Sequence, residues 1–334
     1  MIRLPRLQPR LRWILTGAVL LGCGVYAARH VDIAALGRAL AGADARLVLL
    51  MTAGHLALLL PLKAWRWERM LAPIRRLPVL TLYRYCLAGC AVSNVLPARA
   101  GHAARVALVR RDGVPIAGAV AVLVVEEICN AAVLGLICLP LPYLLDLPGR
   151  VRVVLMVVSG GATLCAAVLA GLALTGRTRA SGLVRRFSEG LAVLADGRAA
   201  GVVFALTIAM WILDLGQIAL AMAAIHMPPS FAGAALVLLF VNLTNAFPAT
   251  PGQVGLFEAG ATAACVAVGA TPEQGLAVGV LYHMMQYIPE TAIGLPMLGQ
   301  GVLGQARLAE APADVTAERS LVEAHAIARG VDDP

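Results

Sequence analysis

The sequence predicts an all-α, polytopic membrane protein made of two halves of inverted topology, each with a re-entrant hairpin broken by Pro and Gly. Three observations predict it: a surplus of apolar residues, an alternation of basic and neutral loops, and a pattern that recurs 151 residues along the chain. Of the 334 residues, 60% are hydrophobic and 14% are charged, whereas a soluble domain carries about a quarter charged residues. The extra apolar surface must face lipid.

A helix needs roughly 20 apolar residues to cross the hydrocarbon core, and the chain supplies such runs in series. Arg3, Arg6, Arg10 and Arg12 precede Trp13–Ala28 as in a signal peptide, but Tyr26-Ala27-Ala28 is a poor cleavage site, so this run is read as a retained first helix. Leu47–Leu62 is the next span. The stretch Lys63–Arg76 is then a cytoplasmic loop, with Trp65 and Trp67 as an interfacial belt. Leu80–Leu96 is apolar up to Pro97–Gly101, and the segment that follows to Arg110-Arg111 is too polar to cross lipid. A hairpin that enters and leaves on one side fits, because non-helical backbone at depth survives where protein or a water-filled cavity covers it.

The run from Val114 crosses to Asp146–Arg150, Val153–Thr175 returns, Arg177–Arg198 is basic and inside, and Ala199–Ile225 crosses again. Phe231–Phe247 then repeats the broken segment around Pro248–Gly252, and a last span begins near Leu276. Ser93-Asn-Val-Leu-Pro-Ala-Arg-Ala-Gly-His102 and Thr244-Asn-Ala-Phe-Pro-Ala-Thr-Pro-Gly-Gln253 share Asn, Pro, Ala and Gly in register. The same offset carries Leu47–Leu62 onto Arg198–Leu213 and Leu80–Leu96 onto Phe231–Phe247.

One membrane domain therefore covers residues 1–300, with halves of about 1–150 and 151–300, and residues 301–334 form a cytoplasmic tail. Three full crossings per half invert the second half and place both termini in the cytoplasm, in an inner or plasma membrane. Inverted repeats with broken helices near the midplane are a transporter pattern; the alternative is a bundle with Pro kinks and no transport.

The net charge of +8 reads as this topology signal, and nucleic acid is not an expected partner. The seven cysteines all lie in apolar segments as buried thiols, and no metal-ligand spacing accompanies them. Intramembrane ionisable groups are the functional candidates. Arg99 and Arg105 flank Gly101, which opens a short helix whose amides and dipole favour an anion; Gly252 and the helix from Val254 would do so from the other side. Two helix ends with an arginine fork make a phosphate site, although Arg105 could instead snorkel to the headgroups. Glu126 and Glu127 sit near the middle of one span about 100° apart, and Glu126 is taken to face the cavity. Glu258 is read as a helix cap or a site residue, His283 as a titratable neighbour, Asp214 with Gln217 as a polar pair, and His55 as a packing residue. Glu126, Glu258 and His283 are expected to share the cavity and to make transport depend on pH between about 5.5 and 8. No nucleophile elbow, phosphate-binding loop or zinc motif occurs, so neither enzyme activity nor a cofactor is expected.

At these residues the chain resembles the lysylphosphatidylglycerol synthase transmembrane region, or flippase-like, family over about residues 10–300. Pro248-Ala-Thr-Pro-Gly-Gln-Val-Gly-Leu-Phe-Glu258 resembles its Pro-x-x-Pro-Gly-Gly-x-Gly-x-x-Glu signature, and Leu96-Pro-Ala-Arg-Ala-Gly-His-Ala-Ala-Arg105 its Leu-Pro-x-Arg-x-Gly-Glu-x-x-Arg stretch. Val125-Glu-Glu-Ile-Cys-Asn130 stands where relatives have Glu-Arg-x-x-Asp, and Tyr282–Pro289 is similar to a Tyr-His-x-x-Gln-x-x-Pro variant. His102 departs from Glu, Glu127 from Arg, Asn130 from Asp and Gln253 from Gly. The resemblance implies movement between leaflets of an amphipathic lipid, an aminoacyl phospholipid or a lipid-linked sugar. It implies a substrate site at Arg99, Gly101, His102, Arg105, Glu126, Pro251, Gly252, Gln253, Glu258 and His283. A cytoplasmic lipid-modifying enzyme or glycosyltransferase is the expected protein partner. The transferase domain of fused relatives has no counterpart in this sequence, so synthase activity is not expected; a membrane-embedded lipid-modifying transferase and a non-transporting scaffold are the competing readings.

Overall fold

Aspartates fix where helices begin in the computed structural model of this chain, which describes residues 32–96, 100–145, 149–175, 196–244 and 250–309. Asp32 caps α1 (Ile33–Ala41) by accepting from the Ala34 and Ala35 amides at 2.8 and 3.1 Å. Asp44 opens α2 (Ala45–Leu71) by accepting from the Arg46 amide at 2.8 Å. There follow α3 (Val79–Val95), α4 (Ala100–Arg111), α5 (Ile116–Cys138), a single turn at Leu141–Leu144, and α6 (Gly149–Thr175). Asp196 caps α7 (Gly197–Ala224), and α8 (Phe231–Thr244), a 3₁₀ turn at Pro251–Gln253, α9 (Leu256–Ala267) and α10 (Pro272–Ala309) complete the described chain.

Among the described residues the chain is helical throughout. Three helices, Ala45–Leu71, Ile116–Leu144 and Gly197–Ala224, are long and apolar enough to cross a membrane. Their outward faces carry exposed Leu49, Leu50, Leu58, Leu136 and Ile212, as lipid contact requires. The expected first helix Trp13–Ala28, the break residues Pro97, Arg99 and Pro248, the basic loop after Thr175 and the tail beyond Ala309 lie outside the described residues. Residues 1–294 form one compact unit, and the chain from Leu295 forms a second, in which α10 runs on to Ala309.

The stretch Lys63–Arg76 is not a loop over its first half. α2 continues through it to Leu71, because nothing after Pro61 interrupts the helix and the inward Arg66 finds partners inside the protein. Pro61 has an effect one turn earlier. Its ring lacks an N–H and crowds the carbonyl four residues back, and the residues before it, His55–Leu59, widen into a π-turn in which the Leu60 amide bonds the His55 carbonyl. The Tyr83 hydroxyl donates to the Leu56 carbonyl at 3.2 Å within that turn.

The two broken segments are hairpins of packed helices. In the first, α3 and α4 run antiparallel: a Cβ on Gly89 would meet Arg105 Cγ at 2.7 Å, and one on Gly101 would overlap the Gly89 carbonyl and the Ser93 hydroxyl. In the second, α8 packs on α9 with Gly260 against Phe240 and Thr244. Gly252 and Gly255 take φ of +59° and +89° between them, the left-handed region that glycine enters without a steric penalty. The tips touch: Gly252 lies against the Asn94 carbonyl and the Tyr287 ring, and Asn94 Nδ2 donates to Thr291 Oγ1 at 3.0 Å.

Gly101→Ala is expected to destabilise the protein by about 1–3 kcal/mol through overpacking. Gly37→Ala, where a Cβ meets open space, is expected to be neutral or stabilising. Thermal unfolding of the two variants in the same detergent checks the contrast.

Candidate functional site

Arg66 is the side chain that organises the interior. It is 1% exposed on α2. Its guanidinium donates to Glu126 Oε1 at 2.9 Å, Asn130 Oδ1 at 2.7 Å and Thr207 Oγ1 at 3.1 Å. The second Glu126 oxygen accepts from Arg105 Nη2 at 2.9 Å, and Arg105 lies over the Trp67 ring at 4.1 Å. One carboxylate thus holds two guanidiniums, from α2 and α4, against α5. Each ion here has given up its water, and the geometry replaces it in part: both Glu126 oxygens are bonded, whereas Arg105 Nε is buried with no hydrogen-bond partner among the described residues.

These residues line a cavity of about 1040 Å³. Its wall also takes His55 and Lys63 of α2, Ser93 of α3, His102 of α4, Glu127 of α5, Asp214 of α7, Gln253 of the 3₁₀ turn, Phe257 of α9, and Tyr282 and Glu290 of α10. Lys63, half-buried and one turn before Arg66 on the same helical face, has no ion-pair or hydrogen-bond partner among the described residues. Gln253 presents a buried Oε1 that likewise has no partner. Of the polar pair Asp214 and Gln217, Asp214 bridges α7 to α10 by accepting from the Tyr282 hydroxyl at 3.1 Å, while Gln217 Oε1 is buried with no hydrogen-bond partner among the described residues. His55 is more than packing, since its Nε2 lies 2.9 Å from Glu290 Oε1.

The residues singled out from sequence fall into three groups. Arg105, His102, Glu126 and Gln253 reach the cavity, with Glu126 the more deeply buried of the adjacent pair; Arg105 turns inward instead of snorkelling. Gly101, Pro251 and Gly252 shape the hairpin tips. Glu258 and His283 form a pair of their own, His283 Nδ1 lying 2.6 Å from Glu258 Oε1, behind Phe257, on which the imidazole stacks at 4.2 Å. The second Glu258 oxygen accepts from the Gly255 amide at 2.7 Å, so the α9 amino end, which begins after Gly255 and not at Val254, already holds a carboxylate. At the α4 end the Gly101 amide donates to Ser93 Oγ at 3.1 Å. Arg99 lies outside the described residues.

Sequence reasoning missed Lys63 and Arg66 as wall residues and gave His55 only a packing role. The signal for Arg66 and Lys63 was weak: two cations three apart on one face continuing an apolar helix, with no breaker between. The departures from the family pattern are spatially paired. His102 and Glu127, two positions read above as departures from the resembled pattern, sit 3.8 Å apart. Asn130, in place of Asp, accepts from Arg66 as a neutral group beside Glu126.

Residues 13–294 match the family described as lysylphosphatidylglycerol synthase TM region, which is most of the chain. Among curated proteins no match is found.

Glu126→Gln is expected to leave two buried guanidiniums without their shared counter-charge and to cost about 3–5 kcal/mol of stability. Glu127→Gln, on a half-exposed side chain, is expected to cost less than about 1 kcal/mol. Thermal unfolding of both variants, purified in the same detergent, measures the difference.

Proposed function

We propose that this chain, which belongs to the lysylphosphatidylglycerol synthase TM region family, carries an amphipathic lipid with an anionic headgroup between the leaflets of the membrane. The single observation that carries the reading is the unpaired ammonium of Lys63 in a cavity large enough for a headgroup. On the α2, α4 and α5 side, Lys63, Arg66 and Arg105 face the one buried carboxylate Glu126, so this wall holds more positive than negative charge. Drug-sized ligand sites occupy about 300–1,000 Å³, and a phosphate with its glycerol or sugar is of that class. The phosphate meets Lys63 first; Arg66 and Arg105, already committed to Glu126, set the field around it. The acyl chains remain in lipid.

Membership supports the remaining parts of the reading. The two halves are of inverted topology, with the hairpin tips at Asn94 and Gly252 forming the barrier between the two sides and both termini in the cytoplasm of an inner-membrane protein. The recurrence of Asn, Pro, Ala and Gly at one offset and the contact between the tips favour that arrangement. The lipid is delivered ready-made by a separate cytoplasmic lipid-modifying enzyme or glycosyltransferase, and the chain performs no covalent step.

Two measurements test this. In liposomes containing fluorescent phosphatidylglycerol, Lys63→Ala is expected to slow lipid movement by about tenfold, the effect of losing one charge-assisted hydrogen bond. Arg110→Ala, at the exposed end of α4, is expected to change it little; equal effects rule out a phosphate at Lys63. For topology, cysteines placed at Asp112 and Ser230, the mouths of the two hairpins, are expected to label from opposite faces. Labelling from one face excludes inverted halves.

A further inference from the structure

The acidic side of the cavity holds a second arrangement that the lipid reading does not use. His55 is 2% exposed, its Nε2 is committed to Glu290, and its Nδ1 is buried with no hydrogen-bond partner among the described residues. A neutral imidazole has one N–H. With Glu290 ionised, that hydrogen sits on Nε2, and Nδ1 is left as a bare, enclosed lone pair. Buried polar atoms are ordinarily satisfied, and the exceptions call for an explanation. Here the unmade bond is on a base at a cavity wall, which fits a site that a proton fills and vacates.

The backbone gives an independent indication. His55 begins the π-turn of α2, and single π-turns within α-helices gather at functional sites. The turn also frees carbonyls from the regular ladder, one of which Tyr83 holds. From the other elements, the pair faces Lys63 of α2, Cys90 of α3, Asp214 of α7 and Tyr282 of α10. Asp214 is the carboxylate placed within electrostatic reach of the imidazole, and the Tyr282 hydroxyl holds one of its oxygens. His102 with Glu127 is the other imidazole and carboxylate on the cavity wall, so a titration must be assigned residue by residue.

We infer that His55, with Glu290 and Asp214, is a proton-binding site that couples proton uptake to occupancy of the lipid cavity. On uptake, a solvent proton bonds to Nδ1; the imidazole becomes imidazolium, Nε2–H stays on Glu290, and no covalent bond breaks. The cavity gains one positive charge while it holds an anionic headgroup, so each ligand raises the affinity for the other by the same factor. A proton fits this site better than a sodium ion, which takes oxygen ligands, because the unfilled atom is an imidazole nitrogen. The coupling rests on the anionic-lipid reading above, whereas the proton site does not.

The test uses the full chain with ¹⁵N-labelled histidine in a non-ionic detergent, with and without added phosphatidylglycerol, the His55 signals being identified by their loss in His55→Gln. His55 is expected to pass from the Nε2–H neutral form to imidazolium within about pH 5 to 8, where imidazoles change charge. Phosphatidylglycerol binding by native mass spectrometry is expected to strengthen by about tenfold from pH 8 to pH 6, and His55→Gln is expected to remove that dependence. Glu290→Gln, which keeps the side-chain shape, serves as the second variant and is expected to weaken it. A His55 that keeps one protonation state throughout, or a native protein whose lipid affinity ignores pH, overturns the inference. A titrating His55 with no phosphatidylglycerol bound at any pH defeats the lipid reading and leaves the proton site standing.

Discussion

Two guanidiniums sharing one carboxylate away from water is the constraint on which the interior of this protein depends. Arg66, Glu126 and Arg105 come from α2, α5 and α4, and Thr207 of α7 accepts from the same Arg66. Opposite charges about 4 Å apart attract by roughly 4 kcal/mol at an effective dielectric constant of 20, but both lose hydration when buried. The arrangement persists because each Glu126 oxygen has its own donor and each arginine has a second contact, Asn130 for one and the Trp67 face for the other. Fixing Arg66 fixes the rotation of α2, and that rotation carries His55, Leu59 and Lys63 to the cavity wall. The triad thereby sets which cation is left unpaired.

The hairpins divide the labour differently from what their helix ends suggest. An exposed helix amino end attracts anions, and both broken segments place such an end deep in the protein. Each is already occupied from within the chain, by the Ser93 hydroxyl at α4 and the Glu258 carboxylate at α9. The hairpins are held tip to tip through Asn94, Gly252 and Tyr287. The cationic side chains that line the cavity come from α2 and α4 instead: Lys63, Arg66 and Arg105. Asp214, Glu290 and Tyr282 of α7 and α10 line the same cavity, and Glu290 meets α2 at His55.

Two positions that depart from the resembled pattern meet in space: His102 Nε2 lies 3.8 Å from Glu127 Oε1, an imidazole against a carboxylate. Asn130 keeps the acceptor that Arg66 needs while lowering the negative charge near Glu126. Together these changes leave the cation excess around Lys63 in place.

The sequence by itself determined that this chain is a helical membrane protein with two Pro- and Gly-broken segments, because the count of apolar residues and the position of helix breakers are local properties of the chain. It also singled out Glu126, Arg105 and the glycines of the breaks, since a charge inside an apolar run is costly and a glycine just after a helix-breaking proline is a backbone device. Tertiary structure decided the rest. Lys63 and Arg66 read as a cytoplasmic loop because a charged cluster with tryptophans matches the membrane interface; what draws Arg66 inward, and Lys63 with it on the same helix, is Glu126, Asn130 and Thr207, 60 to 141 residues away in sequence. His55 read as packing because Glu290 stands 235 residues further along. Glu258 and His283 read as cavity residues, yet Phe257 stands between them and the wall. Partners so distant in sequence leave no periodic trace, and whether a buried charge is a site or a support depends on which of them the fold brings to it.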